Sequence, residues 1–111
     1  DSVTRSSLTS GTSTLKELRS RMEQRYADNR TYQNGAGCAI PNFSDPSDGF
    51  SYSCSLTNSG QGFTWTATGS RKSAGFTYTI DEAGVENTTA ARTGWTTATL
   101  PVARFVIREG G

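Results

Sequence analysis

The side chains able to do chemistry are few, and one absence narrows the field. The chain has no histidine, so the commonest general base and the commonest transition-metal ligand are both missing. No Gly-x-Ser-x-Gly elbow, no phosphate loop and no carboxylate pair with a cleft to serve is visible. Serine and threonine abound, but none sits beside a recognisable activating base. The lysines, Lys16 and Lys72, both read as exposed. The sequence therefore assigns no catalytic residue and no cofactor.

Cys38 and Cys54 are sixteen positions apart, whereas a redox pair usually stands two apart. Two cysteines cannot make a four-ligand zinc site alone. The natural reading is a disulfide closing a loop of about 15 residues, worth about 3 kcal/mol in the chain-entropy model. The competing reading is a pair of buried thiols in a reducing compartment. Asp45, Asp48, Asp81, Glu82 and Glu86 could serve a hard cation, which wants several oxygens converging within a short loop. Asp45 and Asp48 are too few alone. Asp81, Glu82 and Glu86 flank a turn and form the better set, but ordinary turn carboxylates are the simpler reading, so no metal site is assigned.

Arg71-Lys72 falls at the tip of a predicted hairpin near Phe63, Trp65 and Tyr78. A basic tip beside aromatics could bind DNA by phosphate contacts and stacking. Against that stands a solvated loop over core aromatics, since strand alternation points Phe63, Trp65 and Tyr78 inward. The formal net charge is +1, and whole-chain electrostatics predict no obligate nucleic-acid partner. Asn29, Asn42 and Asn87 begin N-x-Ser/Thr triplets, as chance supplies in a chain this rich in those residues.

The elements that must carry these residues follow from periodicity. A length of 111 residues predicts one domain over 1–111, with one modest core. The hydrophobic fraction of 32% is low for a globular domain, and regular alternation with Ser and Thr accounts for it. Leu8, Leu15, Leu18, Met22 and Tyr26 recur at helical spacing, which predicts a helix over 1–28 whose core face carries Leu15, Leu18, Met22 and Tyr26. Its first dozen residues are weak helix formers, Gly11 among them, and should fray alone. Turn chemistry fills 29–49, with Ile40 and Phe43 as anchors. Over 50–80, three runs alternate apolar and hydroxyl side chains: Phe50 to Leu56, Phe63 to Thr68 and Phe76 to Ile80. They predict an antiparallel meander with one polar face. The C-terminal region, 81–111, reads as irregular to Pro101, then as a candidate fourth strand from Val102 to Ile107. The fold class is α+β, a helix packed on a three- to four-stranded antiparallel sheet.

The residues that resemble a known family lie along this framework. Leu15-Lys16-Glu17-Leu18-Arg19-Ser20-Arg21-Met22-Glu23-Gln24-Arg25-Tyr26-Ala27-Asp28-Asn29-Arg30-Thr31-Tyr32 is similar to the end of the long helix of type IV pilins and minor pilins. Phe63-Thr64-Trp65-Thr66-Ala67-Thr68-Gly69 and Phe76-Thr77-Tyr78-Thr79-Ile80-Asp81 resemble two of that family's strands. Trp95 and the ending Phe105 to Gly111 resemble the finish of some minor pilins, although Arg104-Phe105 stands where some relatives have Cys-Trp. The resemblance implies a pilus subunit serving attachment, twitching motility or DNA uptake. It implies an apolar helix upstream of Asp1 that contacts other pilin subunits and is anchored in the inner membrane before assembly. It also implies processing by a prepilin peptidase and a place on the cell surface or in the periplasm. Two alternatives stand beside it: a type II secretion pseudopilin, which calcium-dependent folding would favour, and a free extracellular binding module.

Overall fold

The computed structural model describes residues 2–110. One helix, α1 (Ser2–Asn29), lies against a five-stranded antiparallel sheet formed in sequence order by β3 (Phe43–Asp45), β4 (Phe50–Thr57), β5 (Gly62–Gly69), β6 (Thr77–Asp81) and β7 (Glu86–Ala90). Before it, β1 (Gln33–Asn34) and β2 (Gly37–Cys38) make a two-stranded ribbon. The α+β layout of a pilin, helix on meander, is therefore present.

The apolar stripe of α1 explains where it sits. Leu8, Leu15, Leu18 and Met22 are fully buried against Phe50, Tyr52, Phe63, Trp65, Ala67, Tyr78 and Ile80. Each large apolar side chain so buried contributes about 1.5–3 kcal/mol. Residues 2–12 are helical in this setting. Thr4, Ser7, Gly11 and Thr12 are buried as well, so this stretch is held by packing, not propensity. Gly11 is there for space: a Cβ at this position would run into the Phe50 ring. The hydroxyls of Ser7, Thr9 and Thr12 donate back to the carbonyls of Val3, Arg5 and Thr9, which satisfies them without a partner from the sheet.

The sheet is wider than the sequence pattern predicts, and both extra strands have a physical reason for being hidden. β3 is three residues long between Pro41 and Pro46, too short to show a period. It nonetheless pairs Phe43 with Tyr52, whose rings stack with centroids 4.8 Å apart. β7 carries no large apolar residue at all. Its inward position is Thr88, fully buried, whose Oγ1 donates to Arg104 O at 2.7 Å and accepts from Val106 N at 2.9 Å. Val102–Ile107, expected as the fourth strand, is not one. Val102 makes a single bridge to Thr88, and Val106 is fixed by side chains, its carbonyl accepting from Tyr78 OH. The apolar residues there pack on the edge of the core while β7 holds the ladder position.

Candidate nucleic-acid interface

The end of the molecule where α1 finishes combines amides, guanidinium groups and a constrained backbone. The chain leaves the helix through Arg30, which adopts φ 58° while its N–H donates to Tyr26 O at 2.7 Å. The next residues dock on the β4–β5 turn. Tyr32 N and Thr31 Oγ1 both donate to Gly60 O, at 2.9 and 3.1 Å. Gln61 ties the same pieces from the other side: its Nε2 donates to Arg30 O at 3.1 Å and its Oε1 accepts from Tyr26 OH at 2.7 Å. The Tyr32 ring packs between Tyr26 and Phe63, each centroid 4.8 Å away. Burial, and after it the hydrogen bond to Glu23, raise the Tyr32 phenol to about 12. It stays a protonated donor near neutrality.

The β4–β5 turn itself is strained. Asn58, Ser59 and Gly60 take φ of 51°, 53° and 85° in succession. The left-handed region costs a residue with a Cβ about 1–2 kcal/mol, and such strain gathers at functional sites. Around this turn the exposed side chains include Arg30, Gln33, Asn34, Asn58, Ser59 and Gln61. The amides of Asn29, Gln33 and Gln61 brace the backbone. Among the described residues, those of Asn34 and Asn58 take part in no internal hydrogen bond. The ribbon bearing Asn34 is fastened to β4 by the Cys38–Cys54 disulfide, whose Cα atoms stand 6.2 Å apart. Glu23 and Asp28 dilute the charge here, so this end is polar and mixed, not strongly basic.

Chemically, side-chain amides and guanidinium groups are the groups that read base edges, pairing donor and acceptor with adenine or two donors with guanine. Arginines also hold phosphate. The sequence pattern treats Asn29, Asn34 and Asn58 only as helix-stop and turn residues. Their meeting depends on folding β1–β2 onto the β4–β5 turn, which no local pattern encodes. The run Asn58-Ser59-Gly60, a serine between two residues that accept left-handed backbone, is the local trace that was available.

Arg71 and Lys72 lie at the opposite end, exposed on the 3-10 turn Arg71–Ser73 between β5 and β6. Arg92 joins them, its Nε and Nη2 donating to Ala74 O at 2.7 Å and Lys72 O at 3.0 Å. Phe63, Trp65 and Tyr78 are fully buried on the helix side, so the turn does not present them for stacking. The carboxylates weighed for calcium are separated by their partners. Asp81 Oδ1 accepts from Ala83 N and Val85 N, Glu82 Oε1 accepts from Phe63 N, and Glu86 faces Lys16 at 3.8 Å. Among the described residues, no group of three or more His, Cys, Asp or Glu side chains is placed to hold a metal, and no helix is long and apolar enough to cross a membrane.

Comparison with curated proteins and with solved structures gave no match. A family model does match, over residues 1–77, which include α1, the β1–β2 ribbon, both polar turns and the start of β6. Its description is "Type IV minor pilin ComP, DNA uptake sequence receptor". With more than half of its length matched and the helix-on-meander layout in place, the chain belongs to the ComP family of type IV minor pilins.

Proposed function

We propose that this minor pilin is a DNA receptor that reads a specific duplex sequence at the end where α1 finishes. The family match supplies the class of ligand. The observation that carries the site is the strained Asn58-Ser59-Gly60 turn, locked onto Arg30 and Tyr32 and flanked by uncommitted amides. A turn that exposes Asn58 and Ser59 beside Arg30 suits a groove, where sequence is read. The Arg30 guanidinium, in the stretch docked on this turn, can pair two donors with guanine. The overall charge of +1 does not oppose this: a balanced chain can still concentrate the relevant groups locally.

The rest of the proposal follows from the subunit's class. The chain packs with other pilin subunits, is held in the inner membrane before assembly, is processed by a prepilin peptidase, and works at the pilus surface or in the periplasm as a structural protein without catalysis. Nothing in the geometry favours a calcium-bound pseudopilin or a free module.

The test is selection from a pool of duplexes with a randomised centre, followed by fluorescence anisotropy with the selected duplex and a scrambled one. One enriched motif is expected. Asn58→Ala and Arg30→Ala should each cut the preference for it by about tenfold, since one good base contact is worth about 1–3 kcal/mol. If no motif is enriched, or if both variants keep the full preference, the reading fails.

A further inference from the structure

If the base-reading end is as proposed, the rest of the surface constrains how the duplex lies. We propose that the turn at Arg71-Lys72 is a second, sequence-independent grip on the DNA backbone, and that the duplex runs along the outward face of β4 and β5 between the two turns.

Three observations converge. The first is that the turn is built rigid. Ser73 is fully buried and its Oγ donates to Asp48 O at 2.6 Å. Ser70 donates to Gly49 O through both N and Oγ, each at 2.8 Å. Arg92 braces the turn through two carbonyls and sits over the Phe76 ring, 5.2 Å from its centroid. Three cations are thus carried on a backbone that loses little freedom when they bind. Arg71 holds φ at 54°. It is an arginine kept where glycine would be at ease.

The second is the corridor between the turns. On the face away from α1, the register pairs Ser51 with Thr68, Ser53 with Thr66 and Ser55 with Thr64. These hydroxyls point to solvent, and neither β4 nor β5 contains a carboxylate. Arg71 shares a pocket with Ser44, Ser51 and Ser70 at the far end of this corridor. Asp45 also lines that pocket; its Oδ1 accepts from Ser47 N and Oγ, which favours the charged form, so one carboxylate stands beside Arg71 at this end. Asp81, beside Thr64 at the near end, is turned to the backbone N–H groups of Ala83 and Val85. Neutral hydroxyls give hydrogen bonds to phosphate and sugar without selecting bases. Along β4 and β5 themselves a polyanion meets no carboxylate, and at the far end it finds Arg71 and Lys72.

The third is length. Each of the two strands has eight residues, which spans about 26 Å. At about 3.4 Å per base step along a strand, the cationic turn falls about seven or eight base pairs beyond the bases being read. The molecule's 42 Å long extent accommodates both contacts.

The inference rests on the proposed function, and the experiment separates the two. The probes are duplexes carrying the selected motif, followed by flanks of 2 to about 12 base pairs, bound to the 111-residue chain over a range of salt. Wild-type affinity should rise as the flank reaches about eight base pairs and then level off. Arg71→Ala with Lys72→Ala should abolish that rise, weaken long duplexes by about tenfold at low salt, and reduce the salt slope by about two. Preference for the motif over a scrambled sequence should be unchanged. Arg71→Gly serves as the fold control: it relieves the strained backbone, so binding should weaken while the thermal midpoint holds or rises. Equal affinity of wild type and double variant on the longest duplex overturns the inference. So does an equal loss at every flank length, which would place the turn beside the motif. Asn58→Ala reports on the other end: it should lower preference at all flank lengths, and if it does not, the base-reading proposal fails on its own.

Discussion

Replacing Thr88 by valine isolates the device that holds the C-terminal segment. The exchange keeps the shape of the side chain and removes one hydroxyl. In the structure that hydroxyl is fully buried, donates to Arg104 O at 2.7 Å and accepts from Val106 N at 2.9 Å. Arg104 is exposed, so its carbonyl has water as a substitute. Val106 is 1% exposed, so its N–H has none, and an unsatisfied buried donor costs about 1–3 kcal/mol. Valine returns part of this through easier burial of its second methyl, about 0.8 kcal/mol. The net expectation is a loss of about 0.2–2 kcal/mol, or up to roughly 12 °C in thermal midpoint for a domain of this size. Thr88→Ser keeps the hydroxyl and loses only a methyl, so it should cost less than Thr88→Val. Tyr78→Phe, which removes the donor to Val106 O, should add less than its own cost when combined with Thr88→Val, because both act on the same residue. Calorimetric melting of the wild type and the four variants decides it. Thr88→Val at or above wild-type stability, or Thr88→Ser below Thr88→Val, would refute the reasoning.

Other outcomes follow from the same structure. Reducing Cys38–Cys54 releases a closed loop of about 15 residues, worth about 3 kcal/mol, so the midpoint should drop by about 10 °C or more and the ribbon amides Gln33 to Cys38 should lose hydrogen-exchange protection first; an unchanged melt sinks the staple. Gly11→Val should cost more than about 2 kcal/mol by denaturant unfolding, because the added methyls meet the Phe50 ring, whereas Ser13→Val on the exposed side should stay within about 1 kcal/mol. Burial raises the phenols of Tyr32, Tyr52 and Tyr78 above their ordinary value of 10.0, Tyr32 to about 12. The folded state therefore binds these protons more tightly than the unfolded chain, so their stabilisation is complete below pH 10 and declines as pH rises toward 12 and beyond. Urea midpoints flat between pH 9 and 12 would contradict that.

The fold was legible wherever burial wrote a period. The stripe from Leu8 to Met22 and the alternation from Phe50 to Ile80 mark α1 and three strands because each buries one face and wets the other. β7 was not legible because its inward residue is a threonine satisfied by hydrogen bonds, and apolar Val102 to Ile107 beside it looked the better strand. Gly11 reads locally as a helix breaker, and only contact with Phe50 reveals it as a spacer. The candidate site was harder still. A basic pair such as Arg71-Lys72 is conspicuous in one dimension. The polar cluster is assembled from Arg30, Asn34 and Asn58, and their proximity comes from Gly60 O accepting two hydrogen bonds from Thr31 and Tyr32. Reading net charge for the whole chain averaged away a surface whose proposed specificity rests mostly on neutral groups.

The most direct test of the receptor reading is to titrate the isotopically labelled chain with its selected duplex and record which backbone amides shift. The account predicts the largest changes at Arg30 to Asn34 and Asn58 to Gln61, and smaller, salt-sensitive ones at Ser70 to Ser73 that require a long flank. Large shifts confined to other surfaces, such as Val85 or the start of α1, with those two turns silent, would contradict it.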